Sequence, residues 1–338
     1  MSQDFWYQRP VLVTGATGLL GSWLVKHLLD HDAQVVALVR DHVPQSMLVR
    51  EGVINKIPLV HGGLDSIDTL RRTIAEYNVA TIFHLAAQTL VGIAKLDPIG
   101  TLEANVRGTW NLLEAVRQAS PKTQVLVASS DKAYGSSTDL PYLETHPMQG
   151  EFPYDVSKSC ADLIARMYAK TYRLPVSVVR CANLFGGGDL NFSRTVPGTI
   201  EATLAGRPLL IRSDGKLIRD FLYVEDAVDA YMTLAEHQAS DAALYGEAFN
   251  FGLGIRLTVL ELVEKILKMM GRPDLKPVIQ NIAKEEIRNQ YSDSSKAKRM
   301  LNWVPRFGVD EGLNRTIAWY RKFLAATTSE AVGVAAVR

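Results

Sequence analysis

Tyr154 and Lys158 stand four residues apart at the start of a segment with helical periodicity, so they share one face of that helix. A phenol with a pKa of about 10 is a poor base near neutrality. An ammonium one turn away favours the phenolate, and a positively charged ring beside it does so further. Such a pair can take a proton from an alcohol. Many helices carry Tyr-x-x-x-Lys by chance, so position has to give the pair its weight. It follows an apolar run, 125–129, that leads into Ser130, Asp131 and Lys132. Ser130 can donate to a substrate oxygen or to the phenol. Asp131 supplies an acid and Lys132 a second amine. To act as a base Lys132 must be neutral, which desolvation or the neighbouring Lys158 could bring about. The plainer alternative for residues 131 and 132 is a surface ion pair at the end of a strand.

The second constellation is rich in glycine. An apolar run, 11–14, passes straight into Gly15, Ala16, Thr17, Gly18, Leu19, Leu20 and Gly21, and then into an amphipathic segment. Strand, glycine turn and helix in that order suit a dinucleotide. One glycine makes the turn, one lets backbone approach a pyrophosphate, and one allows close helix–strand packing. The N–H groups at the helix start face the phosphates. The strand after it ends in Val39, Arg40 and Asp41. An acid there accepts from an adenosine 2′-hydroxyl, and an arginine suits a 2′-phosphate. Arg40 slightly favours NADP, Asp41 leaves NAD open, and a solvated Arg40–Asp41 pair is the alternative to both.

The elements that must position these residues can be read from periodicity. Short β-branched runs at 11–14, 35–39, 58–61, 81–85, 125–129 and 176–180 alternate with amphipathic segments at 20–30, 66–77, 102–118 and 156–172. The runs are nearly all apolar, as when both faces of a sheet are covered. The expected fold is α/β, a doubly wound parallel Rossmann sheet with right-handed crossovers. After residue 180 the rhythm changes. Helices are expected over 195–205 and 257–270, and short strands over 209–212 and 249–251. This predicts a dinucleotide-binding domain over 1–185, with a return segment at about 218–252, and a smaller mixed α/β C-terminal lobe over 186–330 that takes the substrate.

The chain has 338 residues, with 37 Lys and Arg against 36 Asp and Glu. That balance provides no basic footprint for nucleic acid. No apolar run is long enough to span a membrane, and the first ten residues lack the pattern of a secretory signal. Cys160 and Cys181 form no CxxC pair, so neither a metal site nor a disulfide framework is expected, and a reducing cytoplasm is the default. Both cysteines, and Trp110, are expected to pack.

Several motifs together carry a resemblance. They are Thr14-Gly15-Ala16-Thr17-Gly18-Leu19-Leu20-Gly21, His84-Leu85-Ala86-Ala87, Asn105-Val106-Arg107-Gly108-Thr109, Tyr154-Asp155-Val156-Ser157-Lys158 and Arg219-Asp220-Phe221-Leu222-Tyr223-Val224-Glu225-Asp226. Over about residues 10–320 the chain resembles the extended short-chain dehydrogenase/reductases that act on nucleotide sugars. Ser130-Asp131-Lys132 and Arg180-Cys181-Ala182-Asn183, running on to Asp189, resemble CDP-glucose 4,6-dehydratases in particular. Arg219-Asp220-Phe221-Leu222-Tyr223 is shared with epimerases, decarboxylases and other dehydratases and departs from the CDP-glucose enzymes.

The resemblance implies an NAD(P)-dependent NDP-sugar 4,6-dehydratase. Tyr154 would take the O4 proton while hydride leaves C4. The 4-ketone acidifies C5–H, Lys132 assists there, Asp131 is the acid for loss of the C6 hydroxyl, and hydride returns to C6. It further implies that Leu64, Leu85, Ala86 and Ala87 line the cofactor and that Lys158 holds it. Gln88 and Thr89 would meet the sugar, and Asn183, Arg194, Arg212, Arg219 and Arg288 the nucleotide diphosphate and base. Gly63 stands where the family often has an acid, with Asp65 or the Leu64 backbone to compensate. A homodimer through the helices that begin near Asn105 and Tyr154 is implied as well. The competing readings are an NDP-sugar 4-epimerase, which needs no chemistry at C5 or C6, and a non-catalytic dinucleotide sensor, which would be expected to have lost Tyr154 or Lys158.

Overall fold

Side chains in the N-terminal strands alternate between two apolar cores. In β1 (Pro10–Thr14) Val11 and Val13 enter one core and Leu12 the other. In β2 (Gln34–Val39) Val35, Ala37 and Val39 follow the first pair, and Val36 and Leu38 follow Leu12. A strand buried on both faces needs helices above and below, and both layers are present. The computed structural model describes residues 3–283 and 286–335.

The remaining strands of this sheet are β3 (Leu59–His61), β4 (Thr81–His84), β5 (Gln124–Ala128), β6 (Val176–Cys181) and β7 (Ala248–Phe251). All pair in parallel, in the order β7-β6-β5-β4-β1-β2-β3. Order reverses beside β1, and the crevice outside the carboxyl ends there is where such sheets take ligands. The doubly wound α/β fold is the one the alternating pattern predicts. The helices that matter for the site are α1 (Leu19–Asp30), α2 (Ile67–Glu76), α3 (Gly108–Ala119), α4 (Pro153–Tyr172) and α5 (Val224–Ser240). Helix α3 starts later than its periodicity suggests, because Glu103–Arg107 is a wider π turn ahead of it.

The segment 249–251, read from sequence as a short strand, is the seventh strand of the main sheet, paired with β6. The chain returns to this sheet through α5 and β7. Ile218–Arg219 instead pairs with the C-terminal strands Leu257–Thr258 and Asn289–Gln290. A third core, with Phe185, Ile200, Phe221, Tyr223, Leu262 and Leu313, joins the C-terminal helices to the strand ends. No helix among the described residues is long and apolar enough to cross a membrane.

Candidate active site

A cavity of about 1930 Å³ runs over the carboxyl ends of the strands and under the C-terminal lobe. Its floor is the glycine turn. Gly15 has φ +74°, and a Cβ there would lie 2.7 Å from the Ala86 nitrogen, so β1 and the segment after β4 meet backbone to backbone. A Cβ on Gly21 would fall 2.1 Å from the Gly15 oxygen, so α1 packs directly on the turn. Gly18 is the N-cap of α1 and provides no capping side chain. The first N–H groups of α1 have no intrahelical acceptor and lie beside the cavity that Thr17, Gly18, Leu19 and Leu20 line. That cradle fits a dinucleotide pyrophosphate.

Arg40 and Asp41 line the same cavity at the end of β2. They form an exposed ion pair, with 2.6 Å between Arg40 Nε and Asp41 Oδ2. Leu64 is held from behind by Asn111 Nδ2, which donates to its carbonyl at 2.8 Å. Leu85, Ala86, Ala87, Gln88 and Thr89 follow β4 along the wall. Their course is set by two buried contacts. Thr14 Oγ1 accepts from the Ala86 N–H at 3.2 Å, and Asn105 Oδ1 accepts from the Gln88 N–H at 2.7 Å. Asn105 also donates to Ser157 Oγ at 2.8 Å, which ties this wall to α4. His84 sits between Thr14 Oγ1 at 3.0 Å and Thr109 Oγ1 at 3.1 Å. Burial, with the charge of Lys158 behind it, lowers its pKa to about 3, so it is neutral and structural.

Pro153 at the first helical position starts α4, a place where its missing N–H is not needed. One turn of α4 then presents Tyr154, Asp155 and Lys158 to the cavity. Lys158 Nζ donates to the Ala128 carbonyl at 2.7 Å, and desolvation draws its pKa down to about 8. Tyr154 is buried. Its phenol is pushed above its ordinary value by burial, against a lowering hydrogen bond with Ser130. Within the protein's own groups, burial therefore outweighs the Ser130 hydrogen bond and the charge of Arg194.

After β5 the backbone stays extended through Ser130, which caps a short turn, Asp131–Tyr134, by accepting from the Lys132 N–H at 3.2 Å. The turn is clamped from three sides. Ser159 Oγ of α4 donates to the Ala133 carbonyl at 2.7 Å. Tyr134 stacks on Tyr142 with ring centres 4.7 Å apart. Arg180 Nη1 donates to the Tyr134 hydroxyl at 2.8 Å while its Nε and Nη2 hold Asp162 at 2.7 and 2.8 Å. Asp131 and Lys132 are thus not the surface ion pair that was the plainer alternative. Asp131 is 2% exposed, and Ser130 Oγ donates to its Oδ1 at 3.1 Å. Desolvation pushes the Asp131 carboxyl up and the Lys132 amine down, the latter helped by the charge of Arg219. Burial thus moves each group toward its neutral form, while the charge of each opposes that shift in the other.

Asn183, Arg194, Arg212 and Arg219 line the far end. Arg194 is held by Asp189 Oδ2 at 2.7 Å and the Leu184 carbonyl at 2.8 Å. Arg219 is nearly buried and donates to Glu286 Oε2 at 3.0 Å. Arg288 stands apart from these four. It does not line the cavity. It is largely exposed and pairs with Asp214 at 3.1 Å. Arg288 sits at a bend just ahead of the strand Asn289–Gln290, with Glu286 and Ile287 before it both lining the cavity. Sequence reasoning passed over Asp155, Tyr231 and Glu286, which all line the cavity. Burial lifts the Asp155 carboxyl to about 6. Its place beside Tyr154 was the available signal; Tyr231 and Glu286 have none in local sequence. Among the described residues no cluster of three or more His, Cys, Asp or Glu could hold a metal.

The family model described as GDP-mannose 4,6 dehydratase matches residues 12–316. A CDP-glucose 4,6-dehydratase of Salmonella typhimurium is 31% identical over 96% of this chain and 94% of that relative. A UDP-glucose 4-epimerase of Mycolicibacterium smegmatis is 32% identical over 92% of this chain and 98% of that one. The crystal structure of a dTDP-glucose 4,6-dehydratase from Bacillus anthracis in complex with NAD superposes with a TM-score of 0.81, at 28% identity, over 93% of this chain and 97% of that one.

Proposed function

The chain belongs to the family that the GDP-mannose 4,6 dehydratase model describes, the extended short-chain dehydrogenase/reductases, and from that premise we propose that it is an NDP-hexose 4,6-dehydratase. It converts an NDP-hexose to an NDP-4-keto-6-deoxyhexose by internal transfer of hydride from C4 to C6. The observation that carries this reading is the pair of buried Asp131 and half-buried Lys132, an acid pushed up and an amine pushed down, beside Tyr154 in one cavity.

The domain 1–185 with 218–252 takes the dinucleotide, and the C-terminal lobe to residue 330 takes the nucleotide sugar. The turn Gly15–Gly21 holds the pyrophosphate, Leu64 and Leu85 to Ala87 hold the ring systems, and Lys158 fixes the ribose. A bound NAD or NADP supplies the hydride acceptor and a positive charge beside the phenol. Arg40 is an argument for a 2′-phosphate, and its pairing with Asp41 an argument for a free 2′-hydroxyl. Mass analysis of the nucleotide released from purified protein decides between them.

Tyr154 takes the O4 proton, with Ser130 donating to the same oxygen. The ketone at C4 then makes C5–H acidic. Lys132, its amine pushed down by desolvation, accepts that proton, and Asp131, its carboxyl pushed up by burial, gives its own to the departing C6 hydroxyl. Gln88 and Thr89 face the hexose. Arg194, Arg212, Arg219 and Asn183 face the diphosphate and base. The alternative, an NDP-sugar 4-epimerase, uses Tyr154 in the same way but leaves Asp131 and Lys132 without work.

A homodimer belongs to this reading. Trp110, which the sequence suggests is packed, is 42% exposed on α3, and Leu163 and Met167 on α4 are 52% and 43% exposed. Cys160, Leu163, Ile164 and Met167 follow the spacing of one helical face, so an apolar stripe is left uncovered. We assign it to a second copy; a monomer in sedimentation at micromolar concentration would refute this. A cytoplasmic location is part of the same proposal, since Cys160 and Cys181 are both free thiols.

The function is tested by incubating the protein with NDP-hexoses that differ in base and hexose. A product lighter by one water, with the strong alkaline absorbance of a 4-keto-6-deoxy sugar, is expected. A 4-epimer as sole product would reverse the assignment.

A further inference from the structure

Gln290 is fully buried at the end of the strand Asn289–Gln290 in the C-terminal lobe. Its side chain nevertheless reaches the first domain, where its Oε1 accepts from Lys132 Nζ at 3.0 Å. Its Nε2 lies close enough to the Asp131 carboxyl to favour that group's charged form. The approach is not aligned: Nε2 and Asp131 Oδ2 are both buried without a well-aligned hydrogen bond. One planar amide thus spans the acid and the amine, acceptor toward the amine and donor toward the carboxyl.

The amide is not free to wander. The Asp220 N–H donates to the Gln290 carbonyl at 3.0 Å, and Gln290 stands in register with Arg219 in the parallel pair of short strands. The strand pair that presents Arg219 to the cavity therefore also fixes Gln290.

Resting on the dehydratase reading, we propose that Gln290 is a positioning residue for the elimination step. It holds Lys132 and Asp131 in fixed relation and favours the charges that step creates. The balance is simple. The C5 proton goes to the Lys132 amine, the C5–H pair forms the C5–C6 double bond, and the C6–O bond breaks. The hydroxyl leaves as water with the proton of Asp131. Lys132 is then an ammonium and Asp131 a carboxylate. Oε1 of Gln290 now faces a cation and Nε2 an anion, so the preset dipole is matched to the state after proton transfer. Oxidation at C4 creates no such charges and has no use for the amide.

The test compares wild type with Gln290→Glu and Gln290→Met. The glutamate keeps the shape and can still accept from Lys132. It has no N–H for Asp131 and holds Lys132 as an ammonium. The methionine keeps the length and removes both contacts. Reaction mixtures with an NDP-hexose are quenched at intervals, ketones are trapped with borodeuteride, and products are weighed; solvent hydrogen entering C5 is followed in parallel. In both variants KM and the appearance of trapped 4-ketohexose stay within about threefold of wild type. C5 exchange and loss of water fall about tenfold or more, further in Gln290→Glu than in Gln290→Met. Water loss within about twofold of wild type in both variants overturns the role of Gln290, as does an equal fall in both half-reactions, which would mark a merely structural residue. Wild-type protein that forms only a 4-epimer overturns the functional reading and this role together. Wild-type dehydration with indifferent variants overturns the role alone.

Discussion

Replacing Asp131 by Asn isolates the acid from everything else in the cavity. Asp131 is 2% exposed, and its one aligned contact among the described residues is the hydrogen bond that Ser130 Oγ donates to Oδ1 at 3.1 Å. An asparagine fills the same volume and keeps that acceptor. Burial pushes the carboxyl up, toward its neutral form, and an uncharged amide carries less of that burial cost than a carboxylate does. Folding stability should then move by no more than about 1 kcal/mol. A positioned general acid is worth roughly 10²–10⁴ in rate, or about 3–5 kcal/mol on the barrier of the step it serves. The step served is loss of the C6 hydroxyl, whereas Tyr154 alone handles the O4 proton. In rapid-quench experiments with borodeuteride trapping, the variant should form 4-ketohexose at the wild-type rate and accumulate it. Loss of water should slow by about a hundredfold or more. Two results refute the reasoning: water lost at the wild-type rate, or C4 oxidation slowed by the same factor as elimination.

Two further predictions concern the frame around the site. Arg180 and Asp162 form a fully buried, two-pronged ion pair that also holds Tyr134 at the end of the catalytic turn. Arg180→Met leaves Asp162 buried without its partner and should cost about 3–5 kcal/mol in denaturant unfolding, while Arg180→Met with Asp162→Leu should recover part of that; equal losses in the single and double variants would show that the pair is not the cause. His84 has its pKa lowered from 6.5 to about 3 by burial. Below about pH 6.5 the unfolded chain takes up a proton at this residue that the folded chain refuses until about pH 3, so stability falls as pH drops through that window, by on the order of 4 kcal/mol across it. Stability measured against pH should lose that slope in His84→Gln, and parallel curves for variant and wild type would count against the assignment.

Much of the fold could be read from local sequence, because strands buried on both faces leave unbroken apolar runs and the helices between them keep one wet face. Six of the seven strands of the main sheet lie where such runs fall. The seventh, Ala248–Phe251, fell inside the expected return segment 218–252, but nothing local says that it pairs with β6. The glycine turn and the Tyr154–Lys158 pair were visible because each is a contiguous motif. What stayed hidden was set by long-range packing. The setting of buried Asp131 and half-buried Lys132 depends on Arg180, Ser159 and Gln290, which come from other elements. Arg180 left one faint trace, a charge at the end of an otherwise apolar run. The outward place of Arg288 is set at a bend whose pairing with Asp214 joins residues far apart in the chain. The pairing of Glu286 with Arg219 links positions far apart in the chain.

The central claim is that hydride leaves C4 of a hexose and returns to C6 of the same molecule. It is tested most directly with an NDP-hexose carrying deuterium at C4. The account predicts a 4-keto-6-deoxy product, lighter by one water, with the label at C6 and a hydrogen from solvent at C5. A product of unchanged mass with the label still at C4, or a dehydrated product whose label has passed to solvent, would contradict it.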